Sequence, residues 1–463
     1  MSTTVSLPLW LFILILLFAA VTFASHFLFP SVRWFFRLRL ERAVARLNQR
    51  LERPIQPFKL ARRYDMIQRL TYDPDVLRAV TAHAADEGIP ENVAAEKARR
   101  YAREIVPAFS ATAYFGFAIR AARWLSNALF HVRLGHYKAG PLRDIDPDAT
   151  VVFVMNHRSN MDYVLVTYLA AERSALSYAV GEWARIWPLS WLIRAMGAYF
   201  IRRASSNDLY RTILARYVQL ATSAGVTQAM FPEGGLSRTG ALSAPKLGLL
   251  KYITDGFGPE SRDVVFVPVA LNYDRVLEDR TLIAAANRKG HRFRAGLWVA
   301  MRNVLRQVWL RLTGRYRRFG SAAVSFGEPL SLRSFGGEAE LIDLEALAEE
   351  LMQRIGAIVP VLPVPLICWI IREKGSITRP GLEIAMGHVA RVLGRSNLHL
   401  PRDNRGYAAE AGLDNLTRRK ILILDDNGKY SVRAGQEDLL QFYANSIGHL
   451  MPLEALDYSA GAK

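Results

Sequence analysis

His157 and Asp162, five positions apart, are the first residues in this sequence that could do chemistry. They follow a short apolar run, residues 150–155, in the segment Asn-His-Arg-Ser-Asn-Met-Asp. A neutral imidazole held by a carboxylate can take a proton from a hydroxyl group. The spacing also fits a histidine beside a helix start, with Ser159 or Asn160 as N-cap and the aspartate in the first turn. Taken alone, this segment favours the second interpretation.

Three further segments offer groups that could bind an anion or shape a pocket. Gly-Ala-Tyr-Phe-Ile-Arg-Arg ends in two adjacent arginines, which can hold a phosphate through paired N–H groups, although a solvated charge pair is commoner. Phe-Pro-Glu-Gly-Gly-Leu-Ser-Arg-Thr-Gly has two glycines that let backbone N–H groups approach an anion. Val-Pro-Val follows another apolar run. The side chains concerned are Arg202 and Arg203, then Glu233, Ser237, Arg238, Thr239 and Lys246, then Pro268.

The elements that must position these groups are short β-branched and aromatic runs, at residues 150–155, 227–231, 263–267 and 322–326. Such runs are typical of buried parallel strands, and helical patterns lie between them. The sequence therefore predicts an α/β fold, a mainly parallel sheet flanked by helices. Sheets of this kind bind ligands at the carboxyl ends of their strands, where the candidate segments lie.

Helical patterns predominate on both sides of this region. Residues 64–84 and 92–105 carry apolar residues at three- and four-residue spacing, and Pro90 suits the start of the second helix. Residues 356–371 are apolar but contain three prolines, so we expect a buried or interfacial segment and not a span. The predicted domains are an anchor at 1–32, a basic helical region at 33–140, an α/β catalytic domain at 141–338 and a helical C-terminal domain at 339–463.

The N-terminus predicts a transmembrane helix. Residues 5–29 contain no Asp, Glu, Lys or Arg, and a span needs about 20 mostly apolar residues. Six arginines follow between residues 33 and 50, and no basic residue precedes the run. This favours a single-pass anchor in the cell inner (cytoplasmic) membrane over a cleaved signal peptide, with the catalytic body on the cytoplasmic side.

The composition narrows the class of protein. The chain has 463 residues, with 60 Lys and Arg against 42 Asp and Glu, for a net charge of +18. Its single cysteine excludes an internal disulfide and a Cys-x-x-Cys metal site. The charge predicts an anionic partner: nucleic acid, acidic lipid or an acidic or phosphorylated substrate.

Three segments are both basic and aromatic: residues 119–137, 183–194 and 292–318. Each could lie at a lipid headgroup boundary or form an ordinary surface helix. The headgroup boundary is favoured for residues 292–318, and the two alternatives are evenly balanced for the other two segments.

In this order and spacing, the four segments resemble the four blocks of the glycerolipid acyltransferases. Within that superfamily, the sequence is most similar to the bacterial membrane-bound glycerol-3-phosphate acyltransferases. Three features carry this similarity: the extended third block, Asn-Tyr-Asp-Arg-Val-Leu-Glu at 272–278, and Phe-Tyr-Ala-Asn-Ser-Ile-Gly-His at 442–449. Leu236 stands where arginine is common in that family.

The resemblance implies transfer of a fatty acyl group from acyl-CoA or acyl-acyl carrier protein to the sn-1 hydroxyl of glycerol 3-phosphate. It implies His157 as the general base and Asp162 as the residue that orients it, with no metal or cofactor. The implied phosphate-binding residues are Arg158, Ser159, Arg202, Arg203, Ser237, Arg238 and Lys246, and the implied acceptor pocket is Glu233, Gly234, Gly235 and Pro268.

Two alternatives stay open. The same chemistry could act on lysophosphatidic acid or dihydroxyacetone phosphate. A membrane-tethered nucleic-acid- or lipid-binding protein would instead use only the basic helices, but it leaves the four strand-end segments unexplained, so no nucleic-acid partner is expected.

Overall fold

The computed structural model describes residues 8–19, 42, 44–49, 51–137, 142–170, 175–181, 189–202, 207–287, 309, 318–336, 342–393, 398–400 and 404–451. The chain forms two compact units, residues 1–55 and 56–463. In the first unit, residues 9–19 and 44–48 are helical. The part of the chain that the structure describes contains no helix with both the length and the apolar character needed to cross a membrane. Of the anchor predicted at 1–32, only residues 8–19 are described.

The larger unit is built on an eight-stranded sheet. Its strands are β1 His131–Tyr137, β2 Thr150–Met155, β3 Ser177–Val180, β4 Tyr199–Phe200, β5 Gln228–Met230, β6 Val264–Tyr273, β7 Ser321–Phe326 and β8 Leu330–Ser331. The order across the sheet is β1-β7-β6-β2-β5-β3-β4, with β8 also paired to β6. Among the described residues of this sheet, the β6–β7 and β6–β8 pairs are antiparallel and the other pairs are parallel. The predicted mainly parallel α/β sheet is confirmed.

Helices flank this sheet. They are α1 Pro57–Leu60, α2 Arg63–Thr71, α3 Pro74–Glu87, α4 Glu91–Ile105, a π-helix Thr112–Ala118, α5 Ile119–Leu129, α6 Met161–Ala170, α7 Leu189–Ala195, α8 Asp208–Ser223, α9 Leu247–Thr254 and α10 Asp279–Asn287. Towards the C-terminus follow α11 Leu332–Gly336, α12 Leu344–Ala357, α13 Pro363–Lys374, α14 Arg379–Leu393, α15 Arg405–Arg418, α16 Glu437–Asn445 and a 3-10 turn Gly448–Leu450. Helix α12 packs on β2 and β6, and α5 packs on α6.

The two central strands, β2 and β6, are buried at every residue, which explains their continuous apolar sequence. Pro268 lies within β6, opposite Val154 of β2. The carbonyl of Pro268 accepts the N–H of Gly327, and in a strand the nitrogen of a residue faces the same side as its carbonyl. On that side Pro268 lies between the residues of β6 that pair with β8 and those that pair with β7. The missing N–H of proline therefore costs no ladder hydrogen bond there.

Three expectations for secondary structure were wrong in detail. Residues 131–137, expected in a helical region, form the edge strand β1 and pair with β7. The helix expected at 64–84 is two helices, because Asp73 caps a new start by accepting the N–H of Asp75 and Pro74 follows it. The C-terminal region is mostly helical but also contains a three-stranded sheet of β9 Ser376–Thr378, β10 Leu422–Leu424 and β11 Lys429–Val432.

Residues 356–371, the apolar segment with three prolines, were expected to be either buried or interfacial. Residues 363–371 of α13 are all buried, and Pro363 and Pro365 lie in the first turn, where a missing N–H is tolerated.

Candidate active site

The candidate site forms where three neighbouring strands end. Strands β5, β2 and β6 are adjacent and parallel, so their carboxyl ends meet at one edge of the sheet. The side chain of Asn156 extends the β2–β6 ladder: its Oδ1 accepts the N–H of Leu271 at 2.7 Å and its Nδ2 donates to the carbonyl of the same residue at 3.0 Å. This pairing fixes the backbone immediately before His157.

His157 and Asp162 are in direct contact. The imidazole Nδ1 lies 2.9 Å from Oδ2 of Asp162. The same oxygen accepts the backbone N–H groups of Arg158 at 2.7 Å and Ser159 at 3.0 Å, and the other oxygen accepts the hydroxyl of Tyr273 at 2.6 Å. A carboxylate with these donors acts as an acceptor, so Nδ1 carries the ring proton and Nε2 keeps its lone pair. The arrangement can act as a general base.

The imidazole lies among aromatic rings. Phe231 stacks on it with a centroid distance of 4.0 Å, and Tyr163 approaches it edge-on at 5.4 Å. His157 is only 1% exposed. No residue that the structure describes is hydrogen-bonded to Nε2.

The third segment is bound to the backbone of the first. Glu233, which is 4% exposed, accepts the N–H of His157 through Oε1 and the N–H of Ser243 through Oε2, each at 2.9 Å. Ser237 donates its N–H to the carbonyl of His157 at 2.9 Å, and its hydroxyl donates to the carbonyl of Ala241 at 2.6 Å. Glu233 thus joins the end of β5 to the histidine and has both oxygens occupied within the protein.

Gly234 and Lys246 lie against each other. Gly234 has φ +67°, and a Cβ on it would lie 2.7 Å from Cδ of Lys246. Lys246 and Arg238 are exposed, and Gly235 is half-buried. This turn presents two cations near the end of β5.

Arg158 and Ser159 are buried and have partners inside the protein. The Nη2 of Arg158 donates to the carbonyl of Ser446 at 3.0 Å, whereas its Nε and Nη1 have no hydrogen-bond partner among the described residues. Burial lowers the pKa of Arg158, and the nearby carboxylates of Glu233 and Asp162 oppose that shift. The hydroxyl of Ser159 donates to Glu278 at 2.8 Å.

Arg202 is not joined to this cluster by any contact among the described residues. Its guanidinium makes two hydrogen bonds to Glu104 of α4, at 2.9 and 2.7 Å, and lies over the rings of Tyr101 and Tyr210. The side-chain hydrogen bonds to Glu104 raise the pKa of Arg202. Arg203 lies outside the described residues. As placed, Arg202 pairs α4 with the end of β4.

Sequence reasoning gave no role to Tyr273, Glu278 or Ser446. Burial and the charge of Asp162 raise the pKa of Tyr273, so its hydroxyl keeps the proton that it donates. Burial also raises the pKa of Glu278. The segment that contains these two residues was singled out only by its resemblance to a family, because no local spacing relates it to Asp162, 111 positions away from Tyr273.

A cavity of about 670 Å³ follows the third segment in the fold, and its described lining includes none of His157, Arg158, Arg238 and Lys246. Its walls come from the loop after the third segment, from α12 and α13, and from the C-terminal turn, and they include Leu242, Arg372, Asn445 and His449. In the described part of the chain, no three His, Cys, Asp or Glu side chains are grouped so that they could hold a metal ion.

Two family models match the chain. One, described as acyltransferase, matches residues 140–272, and the other, described as glycerol-3-phosphate acyltransferase C-terminal region, matches residues 309–460. The first contains all of the candidate segments, and the second contains Ser446 and the C-terminal motif. The resemblance drawn from the four segments is thus confirmed.

Curated relatives agree with these matches. A glycerol-3-phosphate acyltransferase of Pseudomonas entomophila (strain L48) is 31% identical over 291 residues, covering 61% of this chain and 33% of the relative. One of Shewanella sp. (strain MR-4) is 28% identical over 447 residues, covering 89% of this chain and 53% of the relative. The chain therefore spans between one third and about half of the length of these relatives.

Among solved structures, the crystal structure of the 1-acyl-sn-glycerophosphate (LPA) acyltransferase from Thermotoga maritima matches with a TM-score of 0.31 and 20% identity, over 56% of this chain and 80% of that one.

Proposed function

We propose that this member of the glycerolipid acyltransferase superfamily transfers a fatty acyl group from acyl-CoA or acyl-acyl carrier protein to the sn-1 hydroxyl of glycerol 3-phosphate. The product is lysophosphatidic acid, and the reaction is the first step of phospholipid synthesis. The observation that carries the proposal is the buried His157–Asp162 contact at the ends of β2, β5 and β6. The names of the curated relatives support the choice of acceptor.

In this mechanism Nε2 of His157 takes the proton from the acceptor hydroxyl as its oxygen attacks the thioester carbonyl. The imidazolium that forms is stabilised by Asp162 through the 2.9 Å contact. When the tetrahedral intermediate collapses, the thiolate leaves and takes the proton from His157, so the histidine returns to its neutral form. General-base catalysis of this kind contributes about 10²–10⁴-fold. A thioester is already activated, so the proposal includes no metal or cofactor.

Three cations are proposed to hold the acceptor phosphate. Arg238 and Lys246 are exposed on the turn after β5. The two unpaired N–H-bearing atoms of Arg158 point to an anion as well, because a buried donor without a partner costs about 1–3 kcal/mol.

We also propose that the protein acts at the cytoplasmic face of the inner membrane, with anionic lipid as a partner. The uncharged run at residues 5–29 and the absence of Asp and Glu from residues 105–143 support this placement. So do the exposed rings of Phe117, Trp124 and Trp191 and the exposed Arg120. Trp183 and Trp187, in the same predicted segment as Trp191, lie outside the described residues. Extraction of membranes with alkaline carbonate tests the anchor: a spanning chain stays in the pellet, and release into the supernatant would refute it.

An acceptor panel with free-thiol detection tests the proposed activity. Purified protein receives one acyl-CoA or one acyl-acyl carrier protein together with glycerol 3-phosphate, lysophosphatidic acid or dihydroxyacetone phosphate, and the His157→Ala variant is the control. We expect thiol release to be fastest with glycerol 3-phosphate and to fall to background in the variant. Faster release with another acceptor would reassign the substrate. No release with any acceptor would refute acyl transfer, and salt-sensitive nucleic-acid binding would then support a binding protein.

A further inference from the structure

Glu278 reaches the turn between the two catalytic candidates. It follows β6 and is 9% exposed. Its Oε2 accepts the hydroxyl of Ser159 at 2.8 Å, and its Oε1 accepts Nδ2 of Asn160 at 3.1 Å and the N–H of Asn160 at 3.4 Å. The hydroxyl oxygen of Ser159 in turn accepts the N–H of Met161 at 3.2 Å, at the start of α6. One carboxylate therefore makes three contacts with two consecutive residues of this turn.

The position of this turn controls the imidazole. Asp162 holds Nδ1 of His157 and also accepts the backbone N–H of Ser159, so a displacement of Ser159 moves the carboxylate that orients the ring. A misplacement of about 1 Å at such a site can cost about 10²-fold in rate. Glu278 contacts the same turn through the side chains of Ser159 and Asn160 and the backbone N–H of Asn160.

We propose that Glu278 is a positioning residue for the His157–Asp162 pair, and that helix α16 holds it in place through Tyr443. The inference rests on the proposed acyl-transfer function and adds to it a role for the C-terminal region.

The contacts of Tyr443 support the second half of this proposal. Its hydroxyl donates to Oδ2 of Asp279 at 2.6 Å and accepts the N–H of Val276 at 3.1 Å. Tyr443 is therefore hydrogen-bonded to the loop on both sides of Glu278. Tyr443 is 1% exposed. Arg419, after α15, also pairs with Asp279. The loop that carries the positioning carboxylate is thereby attached to two C-terminal helices.

A purely structural role for Glu278 would be to start α10. The backbone carbonyl of Glu278 already does this, since it accepts the N–H groups of Thr281 and Leu282. The side chain contacts the catalytic turn instead. A structural role predicts a loss of thermal stability alone, whereas a positioning role predicts a loss of kcat that depends on Ser159.

The test is a double-mutant cycle with Glu278→Gln and Ser159→Ala, in which kcat, both KM values and Tm are measured for the full chain. We expect Glu278→Gln to lower kcat about 10- to 100-fold, the range for weakening hydrogen bonds to a charged group. Each KM should stay within about threefold, because Glu278 is proposed to orient His157 and not to bind substrate. In the Ser159→Ala background the effect of Glu278→Gln should shrink at least about threefold, since residues that act through one another are not additive. Tyr443→Phe should lower kcat in the same direction.

Glu260→Gln, at an exposed carboxylate, is the matched control and should leave all values unchanged. Hydrogen exchange of the peptide spanning residues 157–163 gives a measurement independent of activity: exchange should rise in Glu278→Gln and not in Glu260→Gln. An active wild type with unchanged kcat in Glu278→Gln, fully additive effects or unchanged exchange would each overturn the inference. An inactive wild type would overturn the proposed function instead, and the exchange result would still decide whether Glu278 holds the turn.

Discussion

Replacing Asp162 with asparagine separates the charge of this residue from its shape. Oδ2 of Asp162 accepts from Nδ1 of His157 and from two backbone N–H groups, those of Arg158 and Ser159. Those two backbone donors cannot move away, so the amide oxygen of asparagine must take the Oδ2 position and its NH2 must face Tyr273. The hydroxyl of Tyr273 can rotate and accept. The imidazole therefore keeps its tautomer, and what is lost is the negative charge beside the imidazolium.

This geometry sets the size of the expected effect. In catalytic triads the same substitution costs about 10⁴-fold in kcat, and the wrong tautomer of the histidine accounts for that loss. Here the tautomer is kept, so we expect Asp162→Asn to lower kcat by about 10²–10³-fold, which corresponds to about 3–4 kcal/mol. His157→Ala removes the base and should lower kcat at least as much.

The assay is acylation of radiolabelled glycerol 3-phosphate by purified variants, with Tm measured in parallel to show that each variant is folded. Asp86→Asn, at an exposed carboxylate of α3, is the control and should behave as wild type. Wild-type turnover in Asp162→Asn would remove this carboxylate from the mechanism. A greater loss in Asp162→Asn than in His157→Ala would show that the ring had been misplaced and that our assignment of the amide was wrong.

Three further predictions concern other residues. Arg238→Ala should raise the KM for glycerol 3-phosphate more than the KM for the acyl donor, because the exposed cation is proposed to meet the phosphate; an equal or reversed effect in steady-state kinetics would place it on the donor side. Glu104→Gln should lower Tm, because Arg202 pairs with this carboxylate, and should leave the KM for glycerol 3-phosphate unchanged. A changed KM would indicate that Arg202 binds the phosphate. Burial raises the pKa of Asp274 to about 6, whereas the pKa of an aspartate in an unfolded chain is about 3.9. Between these two pH values the folded protein binds a proton that the unfolded chain has lost. The contribution of this carboxyl to stability therefore falls as the pH rises from about 3.9 to about 6. The Tm of wild type minus that of Asp274→Asn should consequently be larger at pH 5 than at pH 7, and a constant difference would contradict the shift.

The folded chain contains both a helix start and a His157–Asp162 contact, and the catalytic role of that contact stays a prediction. Asp162 lies in the first turn of α6, and the hydroxyl of Ser159 accepts the N–H of Met161 as a capping residue does. Asp162 nevertheless also holds the imidazole. The choice between a helix start and a catalytic pair was therefore never exclusive, because one carboxylate can accept several donors.

The sequence by itself determined what depends on neighbours along the chain. The runs that became β2, β5, β6 and β7 were recognisable because buried parallel strands need apolar β-branched and aromatic residues on both faces. His157 and Asp162 are only five positions apart, but the segment alone favoured a helix start, and the paired roles came from the resemblance to a family. Edge strand β1 was not recognised, since its mixed polar and apolar sequence resembles that of a surface helix.

Only the tertiary structure decided which distant groups meet. Tyr273, Glu278 and Ser446 reach residues 158–162 from 111 to 288 positions away along the chain. It also directed Arg202 to Glu104, 98 residues away, although the sequence had grouped this arginine with the phosphate ligands. These pairings depend on strand register and helix packing, which place buried polar groups beside one another, and a local pattern of residues contains no information on either.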